Sequence, residues 1–520
     1  MSSPRARLAW LVAAVAGVVA AAYRAWLTTR YWGHEEEDWG NLLIIRGVLD
    51  SGFRFVETEH MPLYSFLSAA ATLLTGDART GGLLVAVLFG GLTVAVTAWI
   101  GWRWLSPAAG VIAAALLTIQ PEAALYSAST LRESTYTGLS MLGIALVPRH
   151  LRAGAAVLGI AFFARFNVAF SLLPALVLWA AWRTRRGVSD GPTGRQLLGA
   201  AAAVGAVVAL WMGWYHHENG TVAFWGGVLE RNTGEAVSDL SAIERVVAVG
   251  KALGGLFFVV LPNHAGHAVV PLGLVGAVLL ARGQAAAPEA GRWLLLAALG
   301  TAGLLGATAA VSTYEWFHNL YWKWLTPTVP FALLLAAHGG LTLLRRIPGP
   351  AAVLVGAGLL VATAATMQRQ SAFQTERSRA WYGTQIELAK WAERAWPPGV
   401  GMLTDAIPAW YLQARRSPIQ VWSWSDPDLP HNDPDAFGAY LTERGIGVVQ
   451  WFQEEWVGAA TAAPWLAAGK AFRAGDAVLL QVAREDGYGF IAYITTQAPG
   501  MPVPSEPPPA AAGASGLAAP

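Results

Sequence analysis

The chain has 520 residues, 55% of them hydrophobic and 13% charged, with a mean hydropathy of +0.42. This is too apolar, with apolar runs too long, for a soluble protein. A formal net charge of +2 leaves no basic footprint for nucleic acid, and the absence of cysteine excludes disulfides, thiolate catalysis and Cys-ligated zinc.

Apolar runs suited to spanning helices occur at about 8–27, 81–101, 108–126, 134–148, 154–170, 171–182, 196–214, 266–281, 293–311, 325–343 and 351–367. The first follows Arg5 and Arg7 but lacks a small-residue cleavage site leading into a soluble domain, so it reads as a retained anchor. With the N-terminus cytoplasmic, every second boundary should carry arginine. Arg103, Arg149 with Arg152, Arg183 with Arg185 and Arg186, Arg282 with Arg292, and Arg345 with Arg346 follow that rule, which favours about eleven spans. Between the first two spans, Asn41–Leu49 and Met61–Thr75 read as juxtamembrane or re-entrant helices on the outer face, the second opening at Pro62.

The expected architecture is a polytopic α-helical membrane protein with a small C-terminal extracytoplasmic α/β domain. Residues 1–370 form the membrane domain. Residues 371–496 are polar enough to be soluble, with helical periodicity over Glu376–Ala395 and buried-strand patterns at 447–452 and 477–482. Residues 497–520 are a Pro/Ala-rich tail with the composition of a disordered segment. The 25 tryptophans suit interfacial belts and packing, or stacking on sugar or lipid head groups.

Four consecutive acids, Glu35-Glu36-Glu37-Asp38, follow the first span. Crowded carboxylates raise one another's pKa unless a cation or a proton offsets them, so the run is either a solvated loop or an acid/base or metal site. A scattered polar set falls on the same side of the expected membrane: Glu57, Glu59, His60, Arg79, Arg132, Glu133, Arg165, Asn167, His216, His217, Glu218, Glu315, His318 and Lys323. Ionisable residues near membrane depth cost roughly 2.5–3.5 kcal/mol each on insertion scales, so a converging set points to function. Carboxylates act as general bases, and Arg, Lys and His hold phosphate by charge-assisted hydrogen bonds. Together they suit a reaction on a phosphorylated lipid. Taken singly, Arg79, Arg165 and Lys323 could each instead snorkel to the interface. Asp38 stands where a zinc-protease motif would need its second histidine, so that motif is absent.

Glu37-Asp38, Arg46 and Gly52, then His60-Met61-Pro62-Leu63-Tyr64, Arg132-Glu133, Ala164-Arg165-Phe166-Asn167 and Lys323-Trp324-Leu325-Thr326-Pro327 occur in that order. The series resembles the GT-C membrane glycosyltransferases that use polyprenyl-phosphate sugars, such as protein O-mannosyltransferases and lipid A aminoarabinose transferases. The resemblance covers roughly residues 5–345. The chain departs from that pattern in its acid run, where Glu36-Glu37 is an alternative register to Glu37-Asp38. It departs also in Met61 for the first proline of a Pro-Pro pair and in Lys323 for a late arginine.

The resemblance implies an inverting sugar transfer at the outer face of a bacterial cytoplasmic membrane. The donor would be a polyprenyl-phosphate-linked sugar and the acceptor a protein, glycan or lipid. Glu37 is the implied general base. Asp38 and Glu133 would orient the acceptor or sugar, or hold a divalent cation if one is used. His60, Arg79, Arg165 and Lys323 would stabilise the departing lipid phosphate, with Glu36, Arg132 and His318 as further substrate contacts. A transporter or flippase of a lipid-linked sugar, and a non-catalytic superfamily member, are the alternatives. Transport would call for inverted repeats and midplane polar residues, and the sequence shows no repeat.

Overall fold

The chain divides into two compact units, Met1–Thr375 and Glu376–Pro520. The computed structural model describes residues 4–31, 36–54, 61–165, 168, 171–185, 194–220, 241–311, 314–395, 401–403, 421–422, 428–430, 433–452, 471–474, 477–485 and 490–497. Within the helices of the first unit, the side chains of residues 36–39, 43, 219, 242 and 305–325 lie outside that description.

The described residues of the first unit form helices joined by turns, with no strand among them. In chain order its helices are α1 (Pro4–Leu27), α2 (Glu36–Asp50), α3 (Leu63–Thr75), α4 (Ala78–Ile100), α5 (Pro107–Ile119), α6 (Pro121–Tyr126), α7 (Glu133–Leu146) and α8 (Leu151–Phe162). They continue with α9 (Leu172–Arg185), α10 (Gly194–Asn219), α11 (Ala242–Gly255), α12 (Leu261–Ala265), α13 (Val269–Ala281), α14 (Pro288–Val311), α15 (Tyr314–Leu344) and α16 (Gly349–Ala395). Among the described residues six helices are long and apolar enough to cross a membrane: Pro4–Leu27, Ala78–Leu105, Gly194–Glu218, Ile243–Ala265, Thr326–Leu344 and Gly349–Arg379. Large apolar side chains such as Trp10, Leu210, Phe258 and Leu354 are exposed on these helices, as lipid-facing surfaces require.

Each run expected to span overlaps a helix, with three differences. The 108–126 run breaks at Gln120, which is extended at φ −67°, ψ 125° because Pro121 follows it. Helix α8 stops at Phe162 rather than continuing to 170. A long apolar helix at Ile243–Ala265 lies where no span was expected, its apolar run being interrupted by Glu244, Arg245 and Lys251.

Close packing rests on small residues, which let backbones approach in an apolar bundle. A Cβ on Gly110 would collide with Ala98 O and Trp102 N, and one on Gly276 with the backbone of Leu335 on α15. Among the described residues two π-helical turns interrupt the α-helices. Gly101–Leu105 ends α4, and there Trp104 O accepts from Ala287 N at 3.0 Å, tying the start of α14 to α4. Leu256–Val260 joins α11 to α12 just before Pro262, whose missing N–H leaves an unpaired position in the helical ladder. Arg183 at the end of α9 pairs with Glu289 on α14 at 2.9 Å, and Trp293 Nε1 donates to Ile144 O at 2.9 Å.

The second unit contains a mixed six-stranded sheet of order β2-β1-β3-β6-β5-β4. Its strands are β1 (Gly401–Leu403), β2 (Val421–Trp422), β3 (Ile446–Phe452), β4 (Ala471–Ala474), β5 (Ala477–Glu485) and β6 (Phe490–Gln497). β1 runs parallel to β2 and β3, whereas β3, β6, β5 and β4 are successively antiparallel. Helix α17 (Pro434–Glu443) is capped by Asp433, whose Oδ1 accepts from Asp435 N and Ala436 N at 3.0 and 3.2 Å. Phe437, Leu441, Ile446 and Val449 are buried in this unit.

Gly110→Val is expected to destabilise the bundle by about 1–3 kcal/mol, because the added methyls have no space to enter. Gly205→Val is the control, since a Cβ at Gly205 meets nothing within 4 Å. Thermal unfolding in detergent should show a lowered midpoint for the first and an unchanged one for the second.

Candidate functional site

Three contacts gather the expected site segments at one end of the first unit. Asn41 Nδ2, on the second turn of α2, donates to Thr130 O at 2.9 Å, and Asn41 is only 4% exposed. Three residues later Glu133 opens α7 and pairs with Arg165, Nη1 to Oε1 at 2.5 Å. Phe163 O, two residues before Arg165, accepts from Leu63 N at the start of α3 at 2.9 Å. The starts of α2, α3 and α7 and the turn after α8 are thus joined in sequence.

The Glu133–Arg165 pair is deeply buried, with side-chain exposures of 0% and 9%. A lone charge there would be very costly, and the short charge-assisted contact offsets that cost. Glu133 also sits in the first turn of its helix, where the macrodipole favours a carboxylate. Sequence reasoning assigned Glu133 to acceptor, sugar or cation and Arg165 to the lipid phosphate. In the structure the two hold each other.

An aromatic wall stands beside this frame. Met61, Phe163 and Tyr215 are buried among Phe66, Phe162, Trp211 and Trp214. Phe66 meets Trp211 and Trp214 edge-on, with ring centroids 5.4 and 5.2 Å apart. Tyr64 Oη donates to Gly82 O at 3.1 Å, fixing α3 on α4. At the end of α10, Glu218 reaches the exposed Arg54 at 3.7 Å, and His216 and His217 are exposed. Gly52 and Phe53 close α2 with positive φ of 63° and 67°, a turn that glycine adopts without strain.

Among the other expected residues, Glu36, Glu37 and Asp38 are the first residues of α2, one turn before Asn41, with their side chains outside the described residues. Glu57, Glu59, His60 and Asn167 lie outside the described residues altogether. Glu315, His318 and Lys323 are on α15, again with side chains outside the description. Arg79 is the second residue of α4 and half-buried, and Arg132 immediately precedes α7 and is half-buried. No group of three or more His, Asp or Glu among the described residues is placed to hold a metal ion.

Sequence reasoning missed a second set of buried polar residues. Gln120 caps α6 through Oε1, which accepts from Ala123 N at 2.7 Å, and its Nε2 donates to Glu122. Glu122 also contacts His264 Nδ1 and accepts from Gln374 Nε2 at 3.0 Å. Arg24, 1% exposed, donates to Leu117 O at 3.3 Å and so satisfies a C-terminal carbonyl of α5, at the negative end of that helix. The signal available was an acid and an arginine inside apolar runs.

No protein-family model and no curated protein matches the chain. Solved structures do. ArnT from Cupriavidus metallidurans bound to undecaprenyl phosphate superposes with a TM-score of 0.59 at 14% identity, over 93% of this chain and 97% of that one. The archaeal oligosaccharyltransferase AglB from Archaeoglobus fulgidus, in complex with an inhibitory peptide and a dolichol-phosphate, gives 0.51 at 12% identity over 96% and 76%. The Archaeoglobus fulgidus oligosaccharyltransferase in complex with Zn and sulfate gives 0.51 at 15% identity over 85% and 67%. The chain shares the fold of these structures. The likeness to ArnT runs almost end to end in both chains.

Within this helical bundle the buried pair is open to a direct test. Glu133→Ala and Arg165→Leu should each destabilise by about 3–5 kcal/mol, because each strands a buried charge, whereas the double variant should lose less than their sum. Unfolding of the four proteins of this cycle in detergent gives the coupling. Additive losses would mean that the pair carries no mutual stabilisation.

Proposed function

We propose that the chain is an inverting glycosyltransferase that moves a sugar from a polyprenyl-phosphate donor to a protein, glycan or lipid acceptor. In this reading the site end faces the outer side of a bacterial cytoplasmic membrane. About eleven spans carry it, and the second unit is an extracytoplasmic α/β domain. The supporting observation is the convergence of the starts of α2, α3 and α7 with Arg165 in a fold shared with a transferase bound to undecaprenyl phosphate.

The chemistry is one displacement. Glu37 accepts the proton of the acceptor hydroxyl as its oxygen forms a bond to the anomeric carbon. The bond from that carbon to the phosphate oxygen breaks, and the polyprenyl phosphate leaves with the electron pair. A single displacement inverts the configuration. Asp38 orients the nucleophile, with Glu36 as the alternative register. Arg165, held in place by Glu133 before the donor arrives, stabilises the charge growing on the phosphate together with His60, Arg79 and Lys323. Arg132 and His318 add substrate contacts.

Purified protein incubated with labelled lipid-linked sugars should release the lipid phosphate. Glu37→Gln should slow that turnover by about 10²–10⁴-fold, the usual contribution of a general base. Full activity in the variant would overturn the base assignment.

A further inference from the structure

The buried set around Glu122 has no part in the displacement just described. Its four members come from three stretches of the chain: Gln120 and Glu122 at the start of α6, His264 on α12 and Gln374 on α16. Gln120 and Glu122 are 0% exposed, His264 3% and Gln374 7%. One carboxylate therefore collects contacts from three side chains, with Gln120 on Oε2 and His264 and Gln374 on Oε1. An apolar contact of equal volume would cost less than burying this charge, so the arrangement is not explained by stability alone.

The geometry on either side of Glu122 indicates what it holds. The π-helical turn at Leu256–Val260 and Pro262 precede His264, and Gly266, at φ 94°, ends the helix just after it. The helix carrying His264 is thus irregular on both sides of the residue that meets Glu122. On α16, Val353, Leu354 and Val361 are 69–74% exposed, while the inward positions are Thr363, Met367, Ser371 and Gln374. Gln374 is where α16 is fastened to α6, immediately before the helix enters the second unit at Glu376.

From α6 the restraint passes along the chain through short bonds. Ser127 Oγ donates to Ala123 O at 2.6 Å, Ser129 Oγ donates to Tyr126 O at 3.1 Å, and Thr130 O accepts from Asn41 at 2.9 Å. Arg132 and Glu133 follow directly. We propose that Glu122 is a positioning residue, the hub of a latch by which His264 and Gln374 fix the segment that carries Arg132 and Glu133. The link from that segment to catalysis rests on the glycosyltransferase reading. The latch itself does not.

The test uses the full-length protein in lipid nanodiscs. Four forms are compared: wild type, Gln374→Leu, Glu122→Gln, and the exchange Glu122→Gln/Gln374→Glu, which keeps one carboxylate and one amide in contact. Hydrogen exchange of residues 127–135 should be about tenfold or more faster in both single variants, with that of α9 unchanged. The exchanged pair should return it to within about twofold of wild type. Undecaprenyl phosphate is the binding probe, and its affinity should fall about tenfold in Gln374→Leu and recover in the exchanged pair.

Unchanged exchange at 127–135, loosening spread equally over the bundle, or no rescue by the exchanged pair would overturn the latch. Local loosening with unchanged affinity would overturn its positioning role. A wild-type protein that does not bind undecaprenyl phosphate would count against the transferase reading, and the exchange measurement would still decide the latch.

Discussion

A carboxylate and a guanidinium buried against each other, Glu133 and Arg165, set the terms for the site end of this bundle. Neither charge is tolerable alone in an apolar interior, so the start of α7 and the turn after α8 must meet. Once they meet, Phe163 O is in place to receive the first amide of α3, and the loop before α7 is in place to receive Asn41 of α2. The acidic start of α2 is thereby brought to the same end as the buried cation. The transfer proposed above calls for such an arrangement, because a base and a charge-stabilising group have to face one reacting carbon from different elements.

The rest of the bundle follows from the absence of water to satisfy polar groups. Exposed faces are apolar, close contacts fall on glycine and alanine, and buried hydroxyls such as those of Thr72, Thr97 and Ser127 bond to carbonyls one turn back. Where a helix is interrupted, the freed groups find partners. Trp104 O accepts from Ala287, Gln120 caps α6, and Arg24 serves the end of α5. These irregular points, rather than the long straight helices, position the chemically capable side chains.

The sequence carried the helices well where pattern and punctuation agree. Pro62 marks the start of α3, and the strand patterns at 447–452 and 477–482 fall on β3 and β5. Periodicity failed where charge interrupts an apolar run, as at Glu244, Arg245 and Lys251, and where Pro121 splits one. The ordered motifs placed Glu133 and Arg165 in one site but not in one ion pair. The Glu122 hub was invisible for a different reason. Its contacts close over 144 residues from Gln120 to His264 and 252 from Glu122 to Gln374, distances that local pattern cannot span.

The central claim is that a polyprenyl phosphate is the leaving group at the end of the bundle marked by Arg165. An experimental structure with undecaprenyl phosphate bound tests it most directly. The account predicts the phosphate beside Arg165 with His60 and Lys323 turned towards it, and the carboxylates of Glu37 and Asp38 on the open acceptor side. A phosphate at the opposite end, among Arg183, Glu289 and Arg292, would contradict it.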